Sequence, residues 1–343
     1  MNDRLPDFRR LRVAVAGDLV ADHYLYAQPR RLSREAPVMV LRHVREEVGA
    51  GGAANVARNL RALDAHVRLF GVVGQDAAGR DVLRRLDADG IDTSGVLVRA
   101  GYETPTKTRV LAAEPRRSLQ QVLRIDREPD GPLESALREA VAERVRAARG
   151  EIDALIASDY EYGTVGDELG LVARELADAG RVVVLDPHRE LASFHDATAW
   201  TPNQDELARF VRSDAQSFDD AQSFRAAAQE LLARVRCRHL LVTRGNLGMA
   251  LFGEDLPEEG VGVEASGSGE VTDVCGAGDT AAAVFALALA AGCDAPSAMV
   301  LANAAAGVVV MEHGAAVCSG SALRTALATA PHPVRLAPGP LAR

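Results

Sequence analysis

Val271-Thr272-Asp273-Val274-Cys275-Gly276-Ala277-Gly278-Asp279-Thr280, followed by the apolar run 281–292, is the stretch whose reading decides the fold. It reads as a short strand, a tight glycine turn and a helix whose first turn carries an aspartate. A helix start presents unpaired backbone N–H groups and the positive end of the dipole, which suits a phosphate or a developing anion. Glycines let that backbone approach a ligand closely. An ionised carboxylate in the same place is a candidate general base, and the combination suits phosphoryl transfer to a hydroxyl. A plain helix cap explains Asp279 equally well. The same glycines satisfy the G-x-G-x-x-A pattern of dinucleotide-binding units, with Asp294 as the later acid. Asp294, however, sits in Gly292-Cys293-Asp294-Ala295-Pro296, a break between two apolar helical stretches. The βαβ context that a dinucleotide site needs is absent there.

Outward from this stretch, strand-like runs alternate with helical ones. Residues 12–16 precede a helix over 52–63, 66–73 precede 79–88, and 153–157 precede 165–179; 182–186 and 239–243 read as further strands. Apolar, β-branched runs separated by amphipathic helices predict an α/β fold with a doubly wound, mostly parallel sheet. Residues 37–48 and 106–127 alternate as strands with no helix between, and Glu114-Pro115-Arg116-Arg117 reads as the turn of the second. They predict a small antiparallel β flap, from about residues 20–48 and 100–127, serving as a lid or a dimer surface. An ordinary edge extension is the alternative. Residues 1–330 read as one domain and the proline-rich 331–343 as an extended, non-catalytic tail.

Composition narrows the function. With 48% hydrophobic and 25% charged residues the chain has an ordinary globular balance. A net charge of −9 leaves no basic excess to neutralise nucleic-acid phosphates. The only lysine is Lys107; every other basic side chain, histidine aside, is arginine. Four widely spaced cysteines, with no CxxC pair, fit neither a metal site nor a disulfide framework. The N-terminus lacks an apolar signal core, and no apolar run reaches the ~20 residues that span a bilayer. A cytoplasmic protein without membrane association is expected.

Four further segments carry candidate ligand-binding residues. Gly49-Ala50-Gly51-Gly52-Ala53-Ala54-Asn55 reads as a second glycine turn into a helix, with Asn55 offering both donor and acceptor to sugar hydroxyls. Gly17-Asp18-Leu19-Val20-Ala21-Asp22 follows the first strand, where ligands of open α/β sheets bind. Thr201-Pro202-Asn203-Gln204-Asp205-Glu206 opens another helix; Asn203 and Glu206 share a face and suit Mg–phosphate, though capping accounts for them equally. Thr243-Arg244-Gly245-Asn246-Leu247-Gly248 either approaches a nucleotide or turns a hairpin.

The order of these motifs resembles the ribokinase-like (PfkB-type) carbohydrate kinases over about residues 11–320. Within that family the chain looks closest to bacterial heptose 7-phosphate kinases, on Gly17-Asp18, Asp22, Tyr24, the run Arg31-Leu32-Ser33-Arg34-Glu35-Ala36-Pro37-Val38, Gly51–Ala57 and Ser158-Asp159-Tyr160. The resemblance implies an ATP-dependent sugar-phosphate kinase that forms the 1,7-bisphosphate by phosphorylating O1. Asp279 would be the catalytic base, and the backbone of Gly276, Ala277 and Gly278 would stabilise charge on the transferred phosphoryl group. Asp18, Asp22, Gly51, Gly52, Asn55, Lys107, Arg109 and Asp159 would serve the sugar. Asn203 and Glu206 would organise Mg-ATP; Thr243, Gly245, Gly248 and Asn303 would line the nucleotide site; Asp273 would neighbour a monovalent cation such as K+. A homodimer through the flap is implied as well. Two positions depart from the resemblance: Tyr162 and His188 stand where it has lysines, with Arg189 a candidate substitute. The nucleotidyltransferase domain that some of these kinases carry is not found, so a separate enzyme is expected to activate the product. Readings kept beside this one are a kinase for another acceptor, and a non-catalytic sugar-binding protein on the same scaffold.

Overall fold

The structure, a computed structural model, describes residues 5–113, 119–215, 218, 220–267, 273–312 and 314–336. In chain order the elements are β1 (Arg12–Gly17), β2 (Leu19–Leu32), β3 (Met39–Gly52), α1 (Ala53–Ala62), β4 (His66–Gly74), α2 (Ala77–Ala88), β5 (Asp92–Arg99), β6 (Thr106–Ala112) and β7 (Gln120–Arg127). Then follow α3 (Ser135–Ala148), β8 (Ala154–Ser158), α4 (Asp167–Asp178), β9 (Val182–Asp186), β10 (Ala199–Trp200), α5 (Gln204–Phe210), α6 (Ala221–Val235) and β11 (His239–Thr243). The C-terminal part holds β12 (Met249–Gly253), β13 (Val261–Val263), α7 (Ala277–Ala290), α8 (Ala295–Val309), α9 (Gly320–Leu327) and β14 (Val334–Arg335).

The large sheet runs β14-β13-β12-β11-β10-β9-β8-β1-β4-β5. Pairings from β5 to β11 are parallel, whereas β11–β12, β12–β13 and β13–β14 are antiparallel. Its central strands β1, β8, β9 and β11 are buried on both faces along nearly all their length, as a parallel sheet between helical layers requires. Alternation along β1 sends Val13 and Val15 to a core shared with Val56 and Leu60 of α1, Phe285 of α7 and Met299 of α8. Ala14 and Ala16 face the other core, with Val141 of α3, Leu169 of α4 and Leu231 of α6. The alternating β/α pattern is thus realised as predicted.

The flap is a separate four-stranded sheet, β3-β2-β6-β7. Two antiparallel hairpins, β2–β3 and β6–β7, are joined side by side through a parallel β2–β6 pairing. One face and edge of this sheet are wet, leaving Leu32, Met39, Val44, Val122, Leu123 and Ile125 at least half exposed.

Several local expectations differ from the structure. The strand expected over 271–274 is not formed at Asp273 and Val274, while Val271 and Thr272 lie outside the described residues, as does the Glu114–Arg117 turn. Gly49–Gly52 is the end of strand β3, not a glycine turn; Gly52, its last residue, is also the N-cap of α1 with φ 59°. Asp22 lies inside strand β2, within the stretch expected to form the flap, and β2 starts two residues after β1 ends. Within the tail, Val334–Arg335 pairs with β13.

Candidate active site

The carboxyl ends of β1, β8, β9, β10 and β11 open on one rim of the large sheet, and the flap rises from it. In open α/β sheets this rim is where ligands bind. Gly17 ends β1, and Leu19 already pairs with Gly52 of the flap, so Asp18 sits at the junction of the two sheets. Its carboxylate is 1% exposed and accepts N–H bonds from Tyr160 (2.8 Å) and Tyr162 (3.0 Å) at Oδ2 and from Thr164 (2.9 Å) at Oδ1. Asp18 therefore shapes the loop after β8. Asp22 accepts from the Arg109 guanidinium across the β2–β6 pairing, and both side chains are buried. A Cβ on Gly51 would collide with the Asp22 carboxylate, which is why that strand position is glycine.

Asp279 occupies the first turn of α7. The helix starts at Gly276, whose φ of 77° is the left-handed conformation that glycine adopts freely; a Cβ there would lie 2.5 Å from the Asn55 amide nitrogen. A Cβ on Gly278 would meet nothing within 4 Å, so the start of the helix faces open space. The Asp279 carboxylate is 4% exposed, and it reaches away from its own helix. Oδ2 accepts from Asn55 Nδ2 at 2.9 Å and Oδ1 from the Tyr160 hydroxyl at 2.8 Å. Burial pushes its pKa up to about 6, while the Asn55 and Tyr160 donors pull it down. This is a carboxylate tuned towards neutrality, and the cap alternative does not describe it.

Around this group stand Lys107, whose ammonium lies 4.8 Å from the Tyr160 ring centroid, and Asp159, buried with Arg189 Nε 3.4 Å away. Burial pushes Asp159 up to about 6, and it lowers the Lys107 pKa below the ordinary lysine value. Asn55 Oδ1 is buried with no hydrogen-bond partner among the described residues. Such an orphan acceptor in a polar cleft is a place for a ligand donor.

The residues expected to serve the nucleotide are arranged differently. Asn203 and Glu206 form a reciprocal capping box on α5, with 2.8 Å bonds in both directions. Burial pushes the Glu206 carboxyl up to about 7. Asn203 and Thr243 are joined by a backbone bridge. Gly245 and Gly248 belong to the hairpin turn between β11 and β12. Asn303 Nδ2 donates to the Glu264 carbonyl at 2.8 Å. Asp273 accepts from the Cys275 and Gly314 amides; burial raises its pKa, but these bonds outweigh that and leave it below the usual range. Among the described residues no cluster of three or more His, Cys, Asp or Glu suits a metal ion.

The description "pfkB family carbohydrate kinase" matches residues 10–321. The chain belongs to the pfkB family. It is 36% identical over 327 residues to the bifunctional protein HldE of Paramagnetospirillum magneticum, covering 95% of this chain and 65% of that protein's length. Its pfkB-family fold is also that of Arabidopsis thaliana ribokinase complexed with ribose and ATP (TM-score 0.69, 21% identity, 94% of this chain and 99% of that one). Escherichia coli phosphofructokinase-2 with substrates and products superposes with a TM-score of 0.73 at 17% identity, over 93% and 98% of the chains.

Sequence reasoning left two side chains of this pfkB-family cleft without a role. Tyr160 stood only in a motif, yet its hydroxyl touches Asp279. Asp186 ends β9, accepts from Thr201 at 2.9 Å, and is driven well above the ordinary carboxylate range by burial and by Asp279 and Glu206. Its place at the end of a parallel strand was the available signal. Tyr162 donates to Glu128 at the foot of the flap, and His188 is held neutral, near pKa 4, by burial and by Lys107. Arg189 is tied to Asp159 and to the Val165 carbonyl.

Proposed function

We propose that the chain is an ATP-dependent kinase that phosphorylates O1 of D-glycero-D-manno-heptose 7-phosphate. The observation that carries the reading is the buried Asp279 carboxylate, clamped by Asn55 and Tyr160 beside the open helix start at Gly278. In this reading Asp279 takes the proton as the O1–H bond breaks, O1 bonds to the γ-phosphorus, and the bond from that phosphorus to the leaving ADP oxygen breaks. The N–H groups of Gly276, Ala277 and Gly278 receive the developing charge at the formed helix start, that of Ala277 by leaving the Val274 carbonyl, to which it donates at 3.3 Å. Asn55 Oδ1 accepts a sugar hydroxyl, while Asp22, Asp18, Asp159, Gly51 and Gly52 shape the acceptor pocket. Lys107 and Arg109 face the acceptor phosphate. Glu206 and Asn203 hold the nucleotide side with Thr243, Gly245, Gly248 and Asn303. A Mg2+ carried by the ATP phosphates would supply charge neutralisation near Glu206, and K+ would sit near Asp273. The similarity to proteins named HldE supports heptose over other sugars, and a nucleotidyl transfer acts on the product next. The kinase unit covers residues 1–330 and works in the cytoplasm; no helix among the described residues is long and apolar enough to cross a membrane.

A second reading keeps the reaction and changes the acceptor. Tyr162 and the neutral His188 supply no positive charge where the resemblance has lysines, which favours an acceptor with less phosphate to neutralise. Coupled ATP consumption against both anomers of heptose 7-phosphate, ribose, fructose and fructose 6-phosphate separates the two. Turnover with heptose 7-phosphate is expected; turnover confined to unphosphorylated sugars would replace the heptose reading with the second.

We also assign the exposed apolar flap strands to a homodimer interface, since Val122, Leu123 and Ile125 form a row that water does not favour. Sedimentation should find a dimer that Ile125→Asp converts to monomer.

A further inference from the structure

We infer that Tyr160 is a positioning residue for the base: its phenol locks one oxygen of the Asp279 carboxylate, while Asn55 locks the other. The inference rests on the reading of Asp279 as base. Two donors from different elements, the loop after β8 and helix α1, hold the two oxygens at 2.8 and 2.9 Å. Rotation of the carboxylate would break both bonds, so its orientation is set before any substrate arrives.

Tyr160 is itself held from several sides. Its backbone N–H donates to Asp18, the carboxylate that also gathers Tyr162 and Thr164. Its ring stacks on His188, with centroids 4.5 Å apart and planes at 31°. Lys107 lies over the ring at 4.8 Å. Behind the stack, His188 Nδ1 is 3.5 Å from Glu206 Oε1, so one aromatic pair spans from the base to the nucleotide-side helix. Burial and the neighbouring Asp279 and Asp186 push the phenol well above its ordinary pKa, so it stays an O–H donor through the working range.

An O–H donor favours the ionised carboxylate, so its loss must raise the pKa of Asp279. Other charges facing Asp279 are Asp22 and Lys107 from the flap and Asp186 from β9; those facing His188 are Lys107, Asp18, Arg209 and Glu206. Tyr160→Phe removes only the hydroxyl and keeps the ring in its stack.

The experiment is a pH profile of kcat for wild type, Tyr160→Phe and Asp279→Asn. Tyr160→Phe is expected to lower kcat about tenfold or more, hold KM for ATP within about twofold, and move the acidic limb up by about one pH unit. A wild-type limb and kcat, or a loss confined to KM, would overturn the inference. Activity surviving in Asp279→Asn would instead sink the base reading. If Tyr160→Phe fails to fold, His188→Ala takes its place: an upward shift of the limb supports the inference and an unmoved limb overturns it.

Discussion

The two sides of the cleft, one around Asp279 and one around Asn203 and Glu206, use similar residue types in opposite ways. Around Asp279, side chains bond to one another across distant elements: Asn55 and Tyr160 to the carboxylate, Arg109 to Asp22. On the other side, Asn203 and Glu206 bond to each other's backbone within a single helix start, and Asn303 serves the Glu264 carbonyl. The first half is a preorganised charge network built by tertiary packing. The second is local backbone geometry that leaves Asn203 and Gly245 exposed. The Asp279 oxygens are thus held by bonds between distant elements, whereas the Asn203–Glu206 side rests on the geometry of one helix start.

Three measurements would break or sharpen this contrast. The largest effect belongs to Asp279→Asn, expected to lower kcat by about a thousandfold, within the range of a lost general base, with KM for ATP nearly unchanged. A loss shared by KM for ATP would mean that the two halves are not separable.

Glu206→Gln is expected to do less, raising KM for Mg-ATP several-fold, about threefold to tenfold, without moving the acceptor KM. The glutamine can still reach back to the Asn203 N–H, so the cap survives. Because the Glu206 carboxyl titrates at about 7, wild-type affinity for Mg-ATP should rise between pH 6 and 8 as the group ionises. In Glu206→Gln that rise should be absent; a persisting rise would assign it to another group.

The smallest effect is on stability. The folded-state pKa of Asp279 lies above its unfolded value of 3.8, at about 6. Such a group favours the fold fully below pH 3.8 and loses that contribution as pH rises through about 6. Removing the charge in Asp279→Asn should therefore raise Tm at pH 8 relative to wild type, by the equivalent of about 1–3 kcal/mol, with the difference vanishing below pH 4. A lower Tm at pH 8 would show that the Asn55 and Tyr160 bonds outweigh the burial cost.

Much of this was legible in the chain. The strands β1, β4, β8, β9 and β11 announce themselves as short apolar runs because both their faces are buried, and their helices by amphipathic spacing. Asp279 was legible because glycines and an acid at a helix start form a local pattern. The Asp22–Arg109 ion pair had no local signal, because the two residues lie 87 positions apart. Tyr160 stood in a local motif, but nothing local pointed to its partner, which is 119 positions away.

By itself the sequence determined the alternating α/β order and the acid at the helix start, since each depends on residues within one or two turns, and it left the flap open between a separate sheet and an edge extension. Only the tertiary structure decided that Asn55, Tyr160 and Asp279 share one hydrogen-bonded centre, and that Asp18 shapes a loop. Those contacts join residues more than 100 positions apart, and burial, which sets the pKa of Asp279, exists only once the sheet, α1 and α7 have packed.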